Sequence, residues 1–154
     1  MNSNSRKPMN PSGIHVWLIL MKAHQALEKH ALQSLTPAPI CFSDFVILEA
    51  LLHKGPLPVN RLGGKLFLTS GSLTAAVDRL EKSGLVERQA HPTDRRARIV
   101  HLTPAGTALI SELFDRHAAY FETITDVLTP TERDTLTHLL KKLGKHAEAL
   151  LTED

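Results

Sequence analysis

The sequence predicts a mainly helical chain carrying one small β-hairpin. Three observations predict it. Apolar residues recur at three- and four-residue steps through most of the 154 residues. That period breaks between Leu85 and Leu102, where two short apolar, partly β-branched runs flank a polar loop. Threonine-proline pairs stand directly before long apolar-periodic stretches at Thr103-Pro104 and at Thr129-Pro130, where they read as helix starts.

Residues 1–12 are polar with two prolines and no periodicity, and read as a flexible arm. From Gly13 to Leu35 the apolar positions Val16, Trp17, Leu20, Ala23, Leu27, Ala31 and Leu35 describe one face of an amphipathic helix. Thr36-Pro37-Ala38-Pro39 stops it, because proline cannot continue the hydrogen-bond ladder. Ser43 is the expected N-cap of a second helix running to about His53 and closed by Gly55-Pro56. A short helix is expected over Pro58 to Leu66. Gly63-Gly64 inside it costs roughly 1 kcal/mol per glycine against alanine, which a close approach of another helix would offset. Thr69 and Ser70 cap the next helix, with Leu73, Ala76, Val77 and Leu80 on one face and Gly84 at its end.

The hairpin strands are Leu85–Gln89 and Arg98–Leu102, joined by the charged tip Ala90–Ala97. A long helix then carries Leu109, Leu113, Phe114, Ala118, Phe121 and Ile124 along one side. Thr129-Pro130-Thr131-Glu132 opens the last helix with a capping box, and its stripe is Leu136, Leu139, Leu140, Leu143, Ala147 and Leu150.

Composition removes several classes of protein. Hydrophobic residues make up 42% and charged residues 22%, a globular balance. Cys41 is the single cysteine, so no internal disulfide can form and a reducing cytoplasm is expected. The run Val16–Met21 is far short of a membrane span. Pro8, Pro11 and Gly13 sit where a signal peptide needs its apolar core. Neither a phosphate-binding glycine loop nor a nucleophile elbow occurs. Asp94 and nearby His91 are a loop pair, so an enzyme is not expected. Among nine histidines no two lie four residues apart, and neither a metal nor another cofactor is expected.

Two short helices, a turn and a hairpin with an arginine-rich tip make a winged helix-turn-helix, expected over residues 39–102. The long helices of residues 13–38 and 103–154 flank it. A recognition helix fits the DNA major groove, where base edges are distinguishable. An exposed hairpin tip can reach the neighbouring minor groove, whose negative potential attracts guanidinium groups. Ser70, Gly71, Ser72 and Thr74 open the recognition helix with small side chains that let its backbone approach phosphates. Residues 60–100 hold eight Lys/Arg against four acids, a basic middle between acidic flanks, although a solvated face with ordinary charge scatter would look similar. Arg79, Arg95, Arg96 and Arg98 complete the candidate DNA-contacting set. Asp94 belongs to it as well, since a carboxylate beside Arg95 and Arg96 can pin one of them in an extended pose.

The stretches Leu68–Thr74, Asp78–Arg88, Pro92–Arg96 and Leu102–Gly106 resemble the MarR family (multiple-antibiotic-resistance regulators) of bacterial transcription factors, in order and at the right spacing. Phe42–Phe45 and Leu48–Gly55 look nearer its quinone- and peroxide-responsive branch than its multidrug branch. The family's wing signature is aspartate, any residue, arginine. The resemblance therefore makes Arg96 the minor-groove arginine and Asp94 its orienting partner. It implies a homodimer whose long terminal helices interleave, a double-stranded pseudo-palindromic operator as partner, and repression relieved by a small aromatic or oxidant effector. A winged helix used for protein–protein contact is the alternative, and would call for a large apolar patch.

Trp17, His24, Phe45 and Phe114 are candidates for an effector pocket, with core packing the competing reading for Phe45 and Phe114. Cys41 is a redox candidate. The expected reading is a small buried residue under Phe42, since free cysteine is usually buried.

Overall fold

A computed structural model of the chain describes residues 11–36, 38–63, 69–93 and 97–152, with Asn60, Gly63 and Ser70 described in their backbone only. It divides into two compact units, one ending at Leu113 and the other beginning at Phe114, so the boundary falls within a helix.

The first unit opens with α1 (Gly13–Ser34). Ser12 caps it, its hydroxyl accepting from the His15 amide at 3.3 Å. Only the C-terminal end of α1 is buried, at Ala31, with Leu35 just beyond it. Helix α2 (Phe42–Lys54) supplies the centre of the core through Phe45, Ile47, Leu48, Ala50 and Leu51. Ser43 is not its cap. The chain turns into the helix at Cys41, in extended conformation and without a side-chain capping bond. The exit is as expected: Gly55 takes φ 74°, a conformation that favours glycine.

A strand that the sequence reading did not anticipate follows, β1 (Leu57–Pro58), and leads directly into α3 (Val59–Gly63). Leu62 of α3 is buried. The expected continuation of this helix to Leu66, and the close approach expected at Gly63-Gly64, lie outside the described residues. Helix α4 (Ser70–Lys82) starts at Thr69, whose Oγ1 accepts from the Ser72 amide at 3.2 Å. Its buried face is Leu73, Ala76, Val77 and Leu80, as the periodicity required. Strands β2 (Val86–Ala90) and β3 (Arg98–Leu102) form the hairpin, in antiparallel register from Val86 opposite Leu102 to Ala90 opposite Arg98. Because β1 pairs with the other edge of β3, the sheet has the order β1-β3-β2.

Helix α5 (Pro104–Thr125) begins against the turn between α4 and β2. The Thr103 amide donates to the Leu85 carbonyl at 3.1 Å, and its hydroxyl to the Gly84 carbonyl at 2.7 Å. The Gly106 amide donates to that hydroxyl at 3.0 Å. Within the first unit α5 buries Gly106, Ile110 and Leu113. The expected stripe contained Leu113 but not Ile110; this part of the helix turns a neighbouring face inward to seat its first turn on Leu85.

In the second unit, α5 ends at Thr125 and α6 (Pro130–Thr152) returns. The capping box forms as expected. The Thr129 amide donates to Glu132 Oε2 at 2.8 Å and the Glu132 amide to Thr129 Oγ1 at 3.3 Å. These bonds hold the Glu132 carboxyl below its ordinary pKa, the backbone donor being the larger cause. Arg133 Nε donates to the Thr125 and Leu128 carbonyls, at 3.1 and 3.3 Å, satisfying the end of α5. No residue of α6 is buried within the chain, and Leu136, Leu139, Leu140, Leu143 and Leu150 stand exposed. No described helix is long and apolar enough to cross a membrane.

Candidate nucleic-acid interface

Helix α4 presents two unlike surfaces. Its apolar face is fully engaged in the core. Its other face carries Gly71, Ser72, Thr74 and Ala75, all exposed, followed one turn later by Asp78. A helix start with small side chains and the positive end of the helix dipole is suited to approach a polyanion closely. Thr69 orders that start: its hydroxyl meets Ser72 Oγ at 2.8 Å in addition to capping the Ser72 amide.

Of the other residues expected to meet DNA, Arg98 lies exposed on β3, opposite Ala90 near the tip of the hairpin. Asp94, Arg95 and Arg96 lie outside the described residues, as does the side chain of Ser70. Arg79 is half-exposed, and its guanidinium is turned sideways off α4. Nη2 donates to Asp44 Oδ1 at 2.7 Å and comes within 3.4 Å of both Ser43 Oγ and Cys41 Sγ. Its pKa is raised, first by the hydrogen bond to Asp44, with burial opposing. Asp44 is 6% exposed, buried in the first turn of α2.

A second ion pair anchors the hairpin. Arg88 on β2 donates through Nη1 to Glu81 and through Nη2 to Asp78, and its amide donates to Glu81 Oε1 at 3.0 Å. Burial alone would lower the Arg88 pKa; the bonds to Asp78 and Glu81 outweigh it and the net shift is upward. Asp78, Glu81, Arg88 and Asp44 were not among the sequence-derived site residues. The carboxylates three residues apart on one helix were a visible signal for the Arg88 pair. Nothing local marked Asp44, whose partner is 35 residues away.

The effector candidates are distributed unevenly. Phe45 is a core residue, buried in α2. Trp17 is 53% exposed and His24 is also exposed, both on α1. Phe114 is half-buried at the start of the second unit. Cys41 departs from expectation: it is exposed, not buried under Phe42, and Phe42 is itself exposed. The reason is its place at the junction into α2, where its Sγ lies 3.0 Å from Ser43 Oγ and faces outward with Arg79.

Known proteins share this arrangement. The sequence model of the MarR family matches residues 43–97. The transcriptional regulator MhqR of Bacillus subtilis is 33% identical over 140 residues, spanning 91% of this chain and 97% of its own. A mutant MarR from E. coli, solved with operator DNA, superposes with a TM-score of 0.74 at 28% identity, over 83% of this chain and 92% of its own. NadR, solved with 4-hydroxyphenylacetate, gives a TM-score of 0.75 at 29% identity, over 88% and 98%. These relatives are transcriptional regulators rather than enzymes. With the family model matching residues 43–97 and a regulator of that family 33% identical over nine-tenths of its length, this chain belongs to the MarR family of winged-helix transcriptional regulators.

Proposed function

We propose that the chain acts in the cytoplasm as a homodimeric repressor that occupies a pseudo-palindromic DNA site and leaves it when a small phenolic or aromatic acid, or an oxidant, is present. The observation that carries the reading is α4: an apolar face locked in the core and, opposite, a capped helix start bearing Gly71, Ser72 and Thr74 in the open. Ser70, Gly71, Ser72 and Thr74 meet the major groove. Arg96 enters the minor groove with Asp94 orienting it, and Arg95 and Arg98 meet the backbone. The relative solved with operator DNA supports the DNA partner, and NadR with 4-hydroxyphenylacetate supports the effector class. The exposed leucines of α6 and the exposed apolar residues of α1, Trp17 among them, are faces that a second copy would cover.

The test is footprinting on the DNA flanking the chain's own gene, followed by salt-dependent binding to the protected duplex. A dimer protecting half-sites centred about 10 bp apart is expected. A monomer binding an isolated half-site with full affinity refutes the dimeric reading. For the effector, 4-hydroxyphenylacetate should raise the melting temperature and release the duplex. Trp17 is the first pocket position to vary, then His24 and Phe114, since Phe45 already has a packing role.

A further inference from the structure

Helix α4 is gripped from both sides. Successive helix residues are 100° apart, so Arg79 and Glu81 project from opposite flanks of α4, with Gly71, Ala75 and Asp78 between them on the outward face. On one flank Arg79 reaches the buried Asp44 of α2 at 2.7 Å. On the other, Glu81 takes Nη1 and the amide of Arg88 on β2, and Asp78 takes Nη2 of the same guanidinium. The apolar contacts beneath α4, through Leu73, Ala76, Val77 and Leu80, already supply the burial. Apolar packing has no directional requirement, whereas a charge-assisted hydrogen bond weakens steeply when its angle changes. Asp44 is the one charged residue buried among the described residues, and a charge is taken out of water only with a partner held in place.

We propose that these carboxylate–guanidinium bridges, Arg79 to Asp44 on one flank and Arg88 to Glu81 and Asp78 on the other, form a clamp that fixes the roll of the recognition helix, and that Arg79 and Arg88 act as positioning residues rather than as phosphate contacts. The inference rests on the DNA-binding reading above and extends it to specificity. Rolling α4 by a fraction of a turn would carry Ser72 and Thr74 off their base edges while leaving a cationic surface near the backbone. Loss of the clamp therefore lowers binding to the preferred sequence and spares binding to DNA in general.

The signs of two charge changes separate the clamp from simple electrostatics. Asp44→Asn and Glu81→Gln each remove a negative charge and keep the side-chain volume. Binding is measured on a duplex selected by the wild-type chain from a random pool, and on an unrelated duplex, at several salt concentrations. Both variants should weaken binding to the selected duplex by about tenfold, the scale of one misplaced base contact. Binding to the unrelated duplex should stay within about twofold. Arg79→Gln should show the same loss with no change in the salt slope, and should add nothing further in the Asp44→Asn background. Tighter binding by Asp44→Asn overturns the clamp, as does a slope reduced by about 0.9 per protomer in Arg79→Gln alone. Equal losses on both duplexes, or unfolding of the variants at the assay temperature, also overturn it, by showing a general stabilising role. A wild-type chain that selects no sequence overturns the DNA-binding reading itself, and is recognised before any variant is compared.

Discussion

Gly106→Ala should destabilise the first unit strongly although alanine is the better helix former. A Cβ at this position would lie 1.9 Å from the Leu85 carbonyl oxygen and 2.9 Å from its carbon. The obstacle is backbone, so the two segments must part by more than an ångström. The oxygen in question is the one that accepts the Thr103 amide, and its neighbour Gly84 accepts the Thr103 hydroxyl. Parting the segments therefore breaks those bonds as well as the packing of Ile110 behind them. Overpacking of this kind costs about 1–3 kcal/mol. Each lost hydrogen bond adds about 1 kcal/mol. Alanine's helix preference returns roughly 1 kcal/mol. The net expectation is a loss of about 2–4 kcal/mol, or about 5–15 °C in melting temperature for a chain of this size. Gly144→Ala is the control, since a Cβ there meets nothing within 4 Å. It should gain up to about 1 kcal/mol. Circular-dichroism melts of both variants at one protein concentration make the comparison. A Gly106→Ala melt equal to or above the wild type would refute the argument from contact distance.

Arg96→Ala should weaken DNA binding more than Arg98→Ala, because a minor-groove arginine reads groove width while a strand arginine meets only phosphate. Asp94→Ala should also weaken it despite the gain in net charge, since freeing a fixed arginine costs about 1–2 kcal/mol of rotamer entropy on rebinding; tighter binding at two salt concentrations would count against the orienting role. Glu132→Gln should lower the melting temperature at neutral pH. The folded-state pKa of Glu132 lies below its unfolded value, so its stabilisation is full above the ordinary glutamate range and is lost as pH falls through the lowered value; the gap between wild type and variant should close in that acidic window, and a gap independent of pH would contradict the capping account. Cys41, being exposed, should be alkylated by iodoacetamide in the folded chain on the timescale of a free thiol, read by mass spectrometry; protection until denaturant is added would contradict the placement.

What the sequence revealed and what it concealed divide along the range of the interactions. Thr69, Thr103 and the Thr129–Glu132 box were readable because a cap is settled within four residues. The hairpin was readable because its strands are adjacent and its tip is polar. By contrast, β1 is two residues long and contains a proline, so no alternation could mark it; it exists through its pairing with β3, some forty residues on. The cap at Ser43 was misplaced by two residues because Ser43 lies beside Cys41 and Arg79 in a tertiary cluster. Ile110 was missed because α5 carries apolar residues on adjoining faces, and only the fit of Gly106 on Leu85 decides which face turns inward near its start. The exposure of Gly71, Ser72 and Thr74 followed from the helical period, which puts Leu73, Ala76, Val77 and Leu80 on the opposite, buried face. The bond from Arg79 to Asp44 could not be read from the sequence, because its partners lie 35 residues apart and no local pattern joins them.

The small sheet has a further consequence at Pro58. A free strand edge invites a second sheet to continue into the first. Strand β1 forms one border of this sheet. It is only two residues long, and Pro58, lacking an amide proton, offers a newcomer one donor fewer. The border is thus made a poor template by the proline ring itself. That border therefore offers a second sheet little to pair with, whereas the opposite border, β2, runs for five residues and is the edge at which a second strand could add.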